Sequence, residues 1–471
     1  MLKHLSILAF LVFSIMLPIN RCPVVSAAPP QIQFNTHIVV DSYHSHNYIN
    51  LPPDADMYDY HNGNGYRHLF NYLASRGATV EEIKNGPLDE STLDKVSMLF
   101  INLTSMDLPP FRVSEIEAIK QYVENGGALL VVTDHTNCYY HAYKLLPLFD
   151  ELGIGINTET ACDNRPMTLA NGNGWIRIES FKPHPITRGL ETIAMETGGT
   201  VDDRYGVAFT SDKAWGDQWI SHPYGEGDTP GLYGNWTLDK GERTGSLAVM
   251  LAKTLGQGRI VVIGDQNMWG DGFCNYADNY KFFLNSVAWL TKEKQLSDPN
   301  PYEQWKPSRI LAYESYSQAA WGNDNNEGFF NLFVSLGRQF WTFASNDLSG
   351  KADLVLFAHD GYLLPEEAKT ALINHLKSGR SALILGLQPR ASSQKRLVDQ
   401  LTEKLGKPQL ETDGSKATYQ WEGYGPVIML NRKEGFINKA VAHPQQAPNS
   451  EQQAELDYLT KVIAENIRRQ E

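Results

Sequence analysis

Three short stretches of the sequence gather the side chains best suited to chemistry: Asp41, His44 and His46; Asp134, His135 and Asn137; and Asp265, Gln266 and Asn267. Imidazole and carboxylate are ligands that divalent zinc accepts, an open coordination position activates water, and a spare carboxylate or imidazole carries the proton. In an extended His44-Ser45-His46 segment both rings fall on one face, because side chains alternate along a strand. Metal-assisted hydrolysis is therefore the expected chemistry. Asp41, His44 and His46 are the expected zinc ligands, Asp134, His135 and Asp265 the catalytic groups, and Asn137, Gln266 and Asn267 the substrate contacts. A plainer reading stands beside this one. Asp and Asn after strands cap helices or close turns, a lone His is commonly a hydrogen-bonded loop residue, and these spacings match no established ligand signature.

Smaller polar groups carry similar pairs of readings. His61 and Asn62-Gly63-Asn64-Gly65, just before a helix, could cradle an anion or simply turn the chain. Asp54, Asp56 and Asp59 could hold calcium or form a solvated face. His184, in His-Pro-Ile-Thr-Arg-Gly, reads as a structural residue of a turn.

The three leading stretches can meet only if a common scaffold brings them together, and each follows a short apolar run: Ile38-Val39-Val40, Ala128 to Val132, and Arg259 to Ile263. Met98 to Ile101 is a further central strand. A helix from Tyr66 to Ser75 puts Tyr66, Leu69, Phe70 and Leu73 on one face and stops near Gly77. Another opens with Ser114 and Glu117 at capping-box spacing, turns Val113, Ile116, Ile119 and Val123 inward, and ends at Gly126-Gly127. Buried strands alternating with amphipathic helices mean an α/β fold with a doubly wound, mostly parallel sheet covered on both faces. In such a sheet, groups just past the carboxyl ends of strands converge on one crevice, where ligands bind.

The same order of elements returns after residue 307: Arg309 to Ala312, a helix from Phe329 to Leu336 closed by Gly337, Leu354 to Phe357, a helix opened by Pro365 at its first turn, and Ala382 to Leu385. Asp41-Ser42-Tyr43 aligns with Glu314-Ser315-Tyr316. A repeat this long implies two tandem related units. The first, residues 28–292, carries a Gly-, Asn-, Asp- and Trp-rich insertion at about 155–250; residues 293–307 read as a linker, and 308–471 form the smaller second unit. That unit keeps Glu314, Asp324, Glu327, His359 and Asp360 near its own strand ends but lacks the His-rich pairings of the first, so it reads as scaffold or regulatory partner.

Lys3 and His4, an apolar run from Leu5 to Leu17 and the ending Val25-Ser26-Ala27-Ala28 have the layout of a signal peptide over residues 1–27, so the chain is expected to be exported, periplasmic or secreted. A run of about 13 apolar residues is too short to span a membrane, which takes about 20. Cys22 lacks the small preceding residues that lipid attachment requires. Net charge is −13 with pI near 5.5, which argues against nucleic acid or an anionic membrane as partner. Trp215-Gly216-Asp217-Gln218-Trp219 resembles a sugar-stacking surface, but reads first as part of a large loop packed by its own aromatics. A small polar ligand or carbohydrate is thus the expected partner. Cys138, Cys162 and Cys274 allow one disulfide and one free thiol in an oxidising compartment; Cys138 with Cys162 would staple a loop leaving a strand.

Gly126 to Val132, His184-Pro185-Ile186-Thr187-Arg188-Gly189, and Gly258 to Asp265 followed by Asn279 to Leu290, resemble in this order the extracytoplasmic branch of the class I glutamine amidotransferase-like superfamily. That branch includes ThuA-like proteins and auxiliary domains of gliding-motility ABC transporters. The resemblance covers most of residues 36–292 and implies a flavodoxin-like sheet. It does not supply an activity, because function lives in the site. True amidotransferases place a Cys nucleophile at the turn after the third strand. Thr133-Asp134-His135-Thr136-Asn137 stands there instead, with Gly386-Leu387-Gln388-Pro389 in the second unit, and Cys138 lies beyond the turn. A glutamine amidotransferase activity is therefore not expected. A non-catalytic ligand-binding or assembly module of the cell envelope is the alternative to a hydrolase.

Overall fold

The computed structural model describes residues 36–45, 66, 69–70, 73–74, 77–164, 167–169, 172–218, 234–270, 273–274, 277–293, 308–313, 336, 340–345, 348–349, 352–361, 363–386, 396–431 and 449–468. The leader, His46, Asp54 to Gly65, most of the linker, and Glu314, Asp324 and Glu327 lie outside them.

The first apolar runs form β1 (His37–Asp41), β2 (Thr79–Ile83), β3 (Met98–Ile101) and β4 (Ala128–Val132). The insertion then supplies β5 (Ile156–Cys162), β6 (Thr168–Leu169), β7 (Gly172–Ile178), β8 (Ser180–Phe181), β9 (Ile193–Glu196), β10 (Gly199–Val201), β11 (Gly206–Phe209), β12 (Trp215–Gln218) and β13 (Arg243–Thr244). The chain returns through β14 (Ala248–Leu255) to β15 (Gly258–Ile263). The main sheet runs β2-β1-β3-β4-β15-β14-β11-β8, and its first five strands are parallel. Counting β15 as the fifth strand, this is the flavodoxin-like order 2-1-3-4-5. Two small antiparallel sheets, β10-β5-β12-β13 and β6-β7-β9, come from the insertion.

Alternation along the strands explains how both faces are covered. Val40, Phe100, Leu130, Val132 and Ile263 face Leu69, Phe70, Leu73 and the helix Asn279–Thr291, whereas Val39, Leu99, Leu129, Val131 and Val262 face the helices Val113–Glu124 (α1) and His141–Leu152 (α2). Each fully buried aliphatic contributes about 1.5–3 kcal/mol.

The second unit repeats the order. With β16 (Arg309–Tyr313), β17 (Trp341–Ser345), β18 (Leu354–Phe357), β19 (Ser381–Ile384), β20 (Gln409–Thr412), β21 (Lys416–Gln420) and β22 (Val427–Leu430), its sheet runs β17-β16-β18-β19-β22-β21-β20. Its first five strands are again parallel, in the 2-1-3-4-5 sense. Its core takes in Ala194, Phe273 and Ala277 of the first unit, and Arg309 grips Glu191 with two hydrogen bonds of 2.7 and 3.1 Å.

Several local expectations need correction. Helix α1 starts one residue before Ser114, and Glu115 closes its N-terminus by accepting from the Arg112 amide at 2.8 Å. Val113, at the first helical position, is therefore 73% exposed instead of buried. Pro365 precedes the helix Glu366–Lys377 and does not sit in its first turn. The expected Cys138–Cys162 disulfide is absent: both are buried free thiols. Among the described residues no helix is long and apolar enough to cross a membrane.

Candidate functional site

Strands β4 and β15 pair in register up to Val132 and Ile263, and the Thr133 amide continues the ladder to the Ile263 carbonyl at 2.8 Å. The next residues on the two strands deliver Asp134 and Asp265 side by side at their carboxyl ends. Strand β10 crosses directly over them, its Gly199 amide donating to the Gly264 carbonyl at 2.6 Å. Only glycine permits this approach: a Cβ on Gly198 would sit 2.7 Å from Asp265 Cβ, and one on Gly199 would sit 2.5 Å from the Asp134 carbonyl oxygen.

Both carboxylates accept backbone amides. Asp134 Oδ1 takes the His135 N–H at 2.6 Å; Asp265 takes those of Glu196 and Asn267 at 2.7 and 2.6 Å. These bonds favour the charged forms, but desolvation wins. Burial pushes the Asp134 carboxyl well up, the neighbouring Asp265 pushes it further, and Glu196 adds a smaller push. Burial also drives Asp265 far above the ordinary carboxylate range. Glu196, at the end of β9, is raised to about 8 by burial and then by Asp265. Three carboxyl groups thus converge and hold fewer than three negative charges at neutrality.

The loop from Asp134 into α2 is strained, with φ of 46°, 53° and 60° at Thr136, Tyr139 and Tyr140, all non-glycine residues in the left-handed region. Such strain persists where the surroundings enforce it, commonly at functional sites. His141 opens α2 with both ring nitrogens engaged: Nδ1 donates to the Cys138 carbonyl at 2.9 Å, and Nε2 accepts the Asp134 amide at 3.4 Å. Burial lowers this imidazole to about 4, so it stays neutral. The Cys138 thiol is pushed well up by burial and by Asp134. One donor atom each from Asp134, His135 and Cys138 lie within 4.8 Å of one another.

The three residues expected to contact substrate share one property. Asn137 Oδ1 caps the Ala142 amide at 3.1 Å while its Nδ2 has no partner; Gln266 Oε1 and Asn267 Oδ1 are likewise unpaired, as is Asn102 Nδ2 at the end of β3. Unpaired buried amides call for an explanation such as a bound polar molecule or water.

Asp41 and His44 meet elsewhere, at the carboxyl end of β1, which β3 separates from β4. Asp41 Oδ1 accepts the Tyr43 and His44 amides, both at 3.0 Å, and its Oδ2 lies 3.0 Å from His44 Nδ1. His44 Nε2 faces Glu115 Oε1 at 3.4 Å, and Phe111 stacks on the ring with centroids 4.2 Å apart. Both nitrogens of His44 thus look at carboxylates. All three groups are fully buried, tying the end of β1 to the start of α1.

Sequence reasoning missed Glu196, Glu115 and His141, and it set Cys138 aside. The spacing Asp-His-x-x-Cys was visible; Glu196 had no signal, because an insertion strand far from any parallel strand end brings it in. His184 accepts the Ile186 amide through Nδ1 at 3.3 Å and stands edge-on to Trp289, while Asn285 binds the Ile186 and Arg188 carbonyls, so the His-Pro-Ile-Thr-Arg-Gly segment is a turn clamped to the closing helix. In the second unit His359 accepts the Gly361 amide at 3.1 Å and Asp360 pairs with Arg396 at 3.2 Å. A groove of 1060 Å³ lies at the opposite, amino ends of β3 and β4, lined by residues such as Ser97, Glu117 and Gly126.

A family model described as "Domain of unknown function (DUF4350)" matches residues 61–287. Among solved structures, the "mmIFT52 N-terminal domain" is similar at 17% identity and a TM-score of 0.40, over 55% of this chain and 98% of that one. A ThuA-like protein from Bacteroides uniformis ATCC 8492 is similar at 13% identity and 0.31, over 59% and 98%. Another from Parabacteroides merdae ATCC 43184 is similar at 11% and 0.29, over 55% and 90%. No curated protein matches the chain.

Proposed function

We propose that this chain is an exported member of the class I glutamine amidotransferase-like superfamily in which an acid–base site replaces the cysteine nucleophile. In this reading the site hydrolyses a polar extracellular compound, and carbohydrates are the first class to test. One observation carries it: Asp134, Asp265 and Glu196 converge past the ends of β4 and β15, with Asp265 and Glu196 pushed toward neutral pH. A carboxyl group that keeps its proton near the working pH can give it to a leaving group, while an ionised neighbour takes a proton from the attacking water. The unpaired amides of Asn102, Asn137, Gln266 and Asn267 supply polar contacts for a bound molecule. The resemblance sets Thr133 to Asn137 where the superfamily carries its cysteine turn, and Cys138, buried with its thiol pushed well up, is a poor nucleophile.

The test is a panel of chromogenic glycosides and esters with the wild type beside Asp265→Asn and Glu196→Gln. Turnover should fall about 10²- to 10⁴-fold in each variant, as for loss of a general acid or base. Activity unchanged in both variants would sink the assignment. A second reading, a non-catalytic ligand-binding or assembly module, is favoured by the cover of β10 over Asp134 and Asp265. It expects sugars to raise the melting temperature without turnover.

A further inference from the structure

We propose that Asp134, His135 and Cys138 form a divalent-cation site, and that zinc is the ion their donors favour. The three side chains are buried, and a carboxylate oxygen, an imidazole nitrogen and the sulfur lie within 4.8 Å of one another. Around tetrahedral zinc, with bonds of about 2.0–2.3 Å, neighbouring donors stand roughly 3.3–3.8 Å apart. Closure therefore requires a movement of about 1 Å, within reach of side-chain rotation. A set of oxygen, nitrogen and sulfur suits zinc, whereas magnesium and calcium take oxygen.

The surroundings point the same way. His135 Nδ1 lies 3.2 Å from the Thr136 hydroxyl, while Nε2 faces Asp134 Oδ1 at 3.9 Å. A partner on the outer nitrogen is how ligating imidazoles are oriented and their tautomer fixed. Buried Asn137 Nδ2 and Gln266 Oε1 beside the loop lack partners, the mark of a polar occupant. Three protein ligands leave one tetrahedral position open for water, which is the arrangement of catalytic zinc. The ligand set differs from the one the sequence suggested, because both nitrogens of His44 already face Asp41 and Glu115.

This site deepens the hydrolytic reading and rests on the same crevice. The test is titration of the full chain, reduced and stripped of metal, with cobalt(II), whose spectrum reports ligand type. One equivalent should bind, with the visible bands of tetrahedral cobalt and a thiolate-to-cobalt charge-transfer band. Cys138→Ser should lose that band with its circular dichroism intact, and zinc should displace the cobalt. No binding, an octahedral spectrum without thiolate, or a band that survives Cys138→Ser would each overturn the proposal. If Cys138→Ser does not fold, His135→Gln takes its place, with affinity at least about tenfold weaker as the expected result and unchanged affinity as the refutation. A bound ion without hydrolysis would remove the hydrolytic reading and keep the site. No cobalt binding with hydrolysis intact would do the reverse.

Discussion

Replacing Glu196 by Gln should stabilise the chain at alkaline pH and leave it unchanged in acid. Burial and the nearby Asp265 raise this carboxyl from 4.5 to about 8. A raised acid binds its proton more tightly in the folded state, so the sign of the effect is fixed. Below 4.5 both states are protonated and the group costs nothing. Between 4.5 and about 8 the unfolded chain ionises while the folded one does not, and stability falls as pH rises. Above that range the cost is complete, about 5 kcal/mol at 1.36 kcal/mol per pH unit. Glu196 is only half-buried and Asp265 shares part of this repulsion, so removal of Glu196 should return about 1–3 kcal/mol at alkaline pH. The assay is urea unfolding of wild type and Glu196→Gln across this pH range, with chelator present so that no cation neutralises the cluster. The two stability curves should meet in acid and diverge through neutrality. Parallel curves would show that Glu196 does not lie in a buried acidic cluster.

Two further substitutions probe the frame. Gly199→Ala should cost about 1–3 kcal/mol by overpacking, read as a lower melting temperature, because its methyl would strike the Asp134 carbonyl oxygen, a backbone atom that cannot move aside. His44→Ala should cost about 1–3 kcal/mol, since it removes the imidazole that pairs with buried Asp41 Oδ2; an effect below about 0.5 kcal/mol in urea unfolding would show that this contact contributes nothing.

Much of the scaffold was legible in the residues themselves. The continuous apolar runs at β4 and β15 have no polar face, so they had to be buried on both sides, and Asp134 and Asp265 then followed from the rule that strand ends share a crevice. The sheet built from β16 to β22 has the same 2-1-3-4-5 strand order as the parallel part of the first sheet. What stayed hidden depends on long-range pairing. Glu196 reaches Asp265 only because β9 hydrogen-bonds to it from within the insertion. Glu115 reads in the sequence as one polar residue of an amphipathic helix, yet it caps that helix from a buried position and faces His44. The disulfide arithmetic failed because cysteine number and compartment carry no information about distance, and these thiols are packed as small hydrophobes.

The central claim is that burial lifts the carboxyl groups at the ends of β4 and β15, so that Asp265 keeps a proton up to about pH 7. Infrared titration of the metal-free chain, as a difference between wild type and Asp265→Asn, observes this directly through the carbonyl stretch of a protonated carboxyl. The band should persist at pH 7 in the wild type and shrink in the variant. Its disappearance from the wild type in the range of ordinary aspartates, near pH 4, would contradict the account.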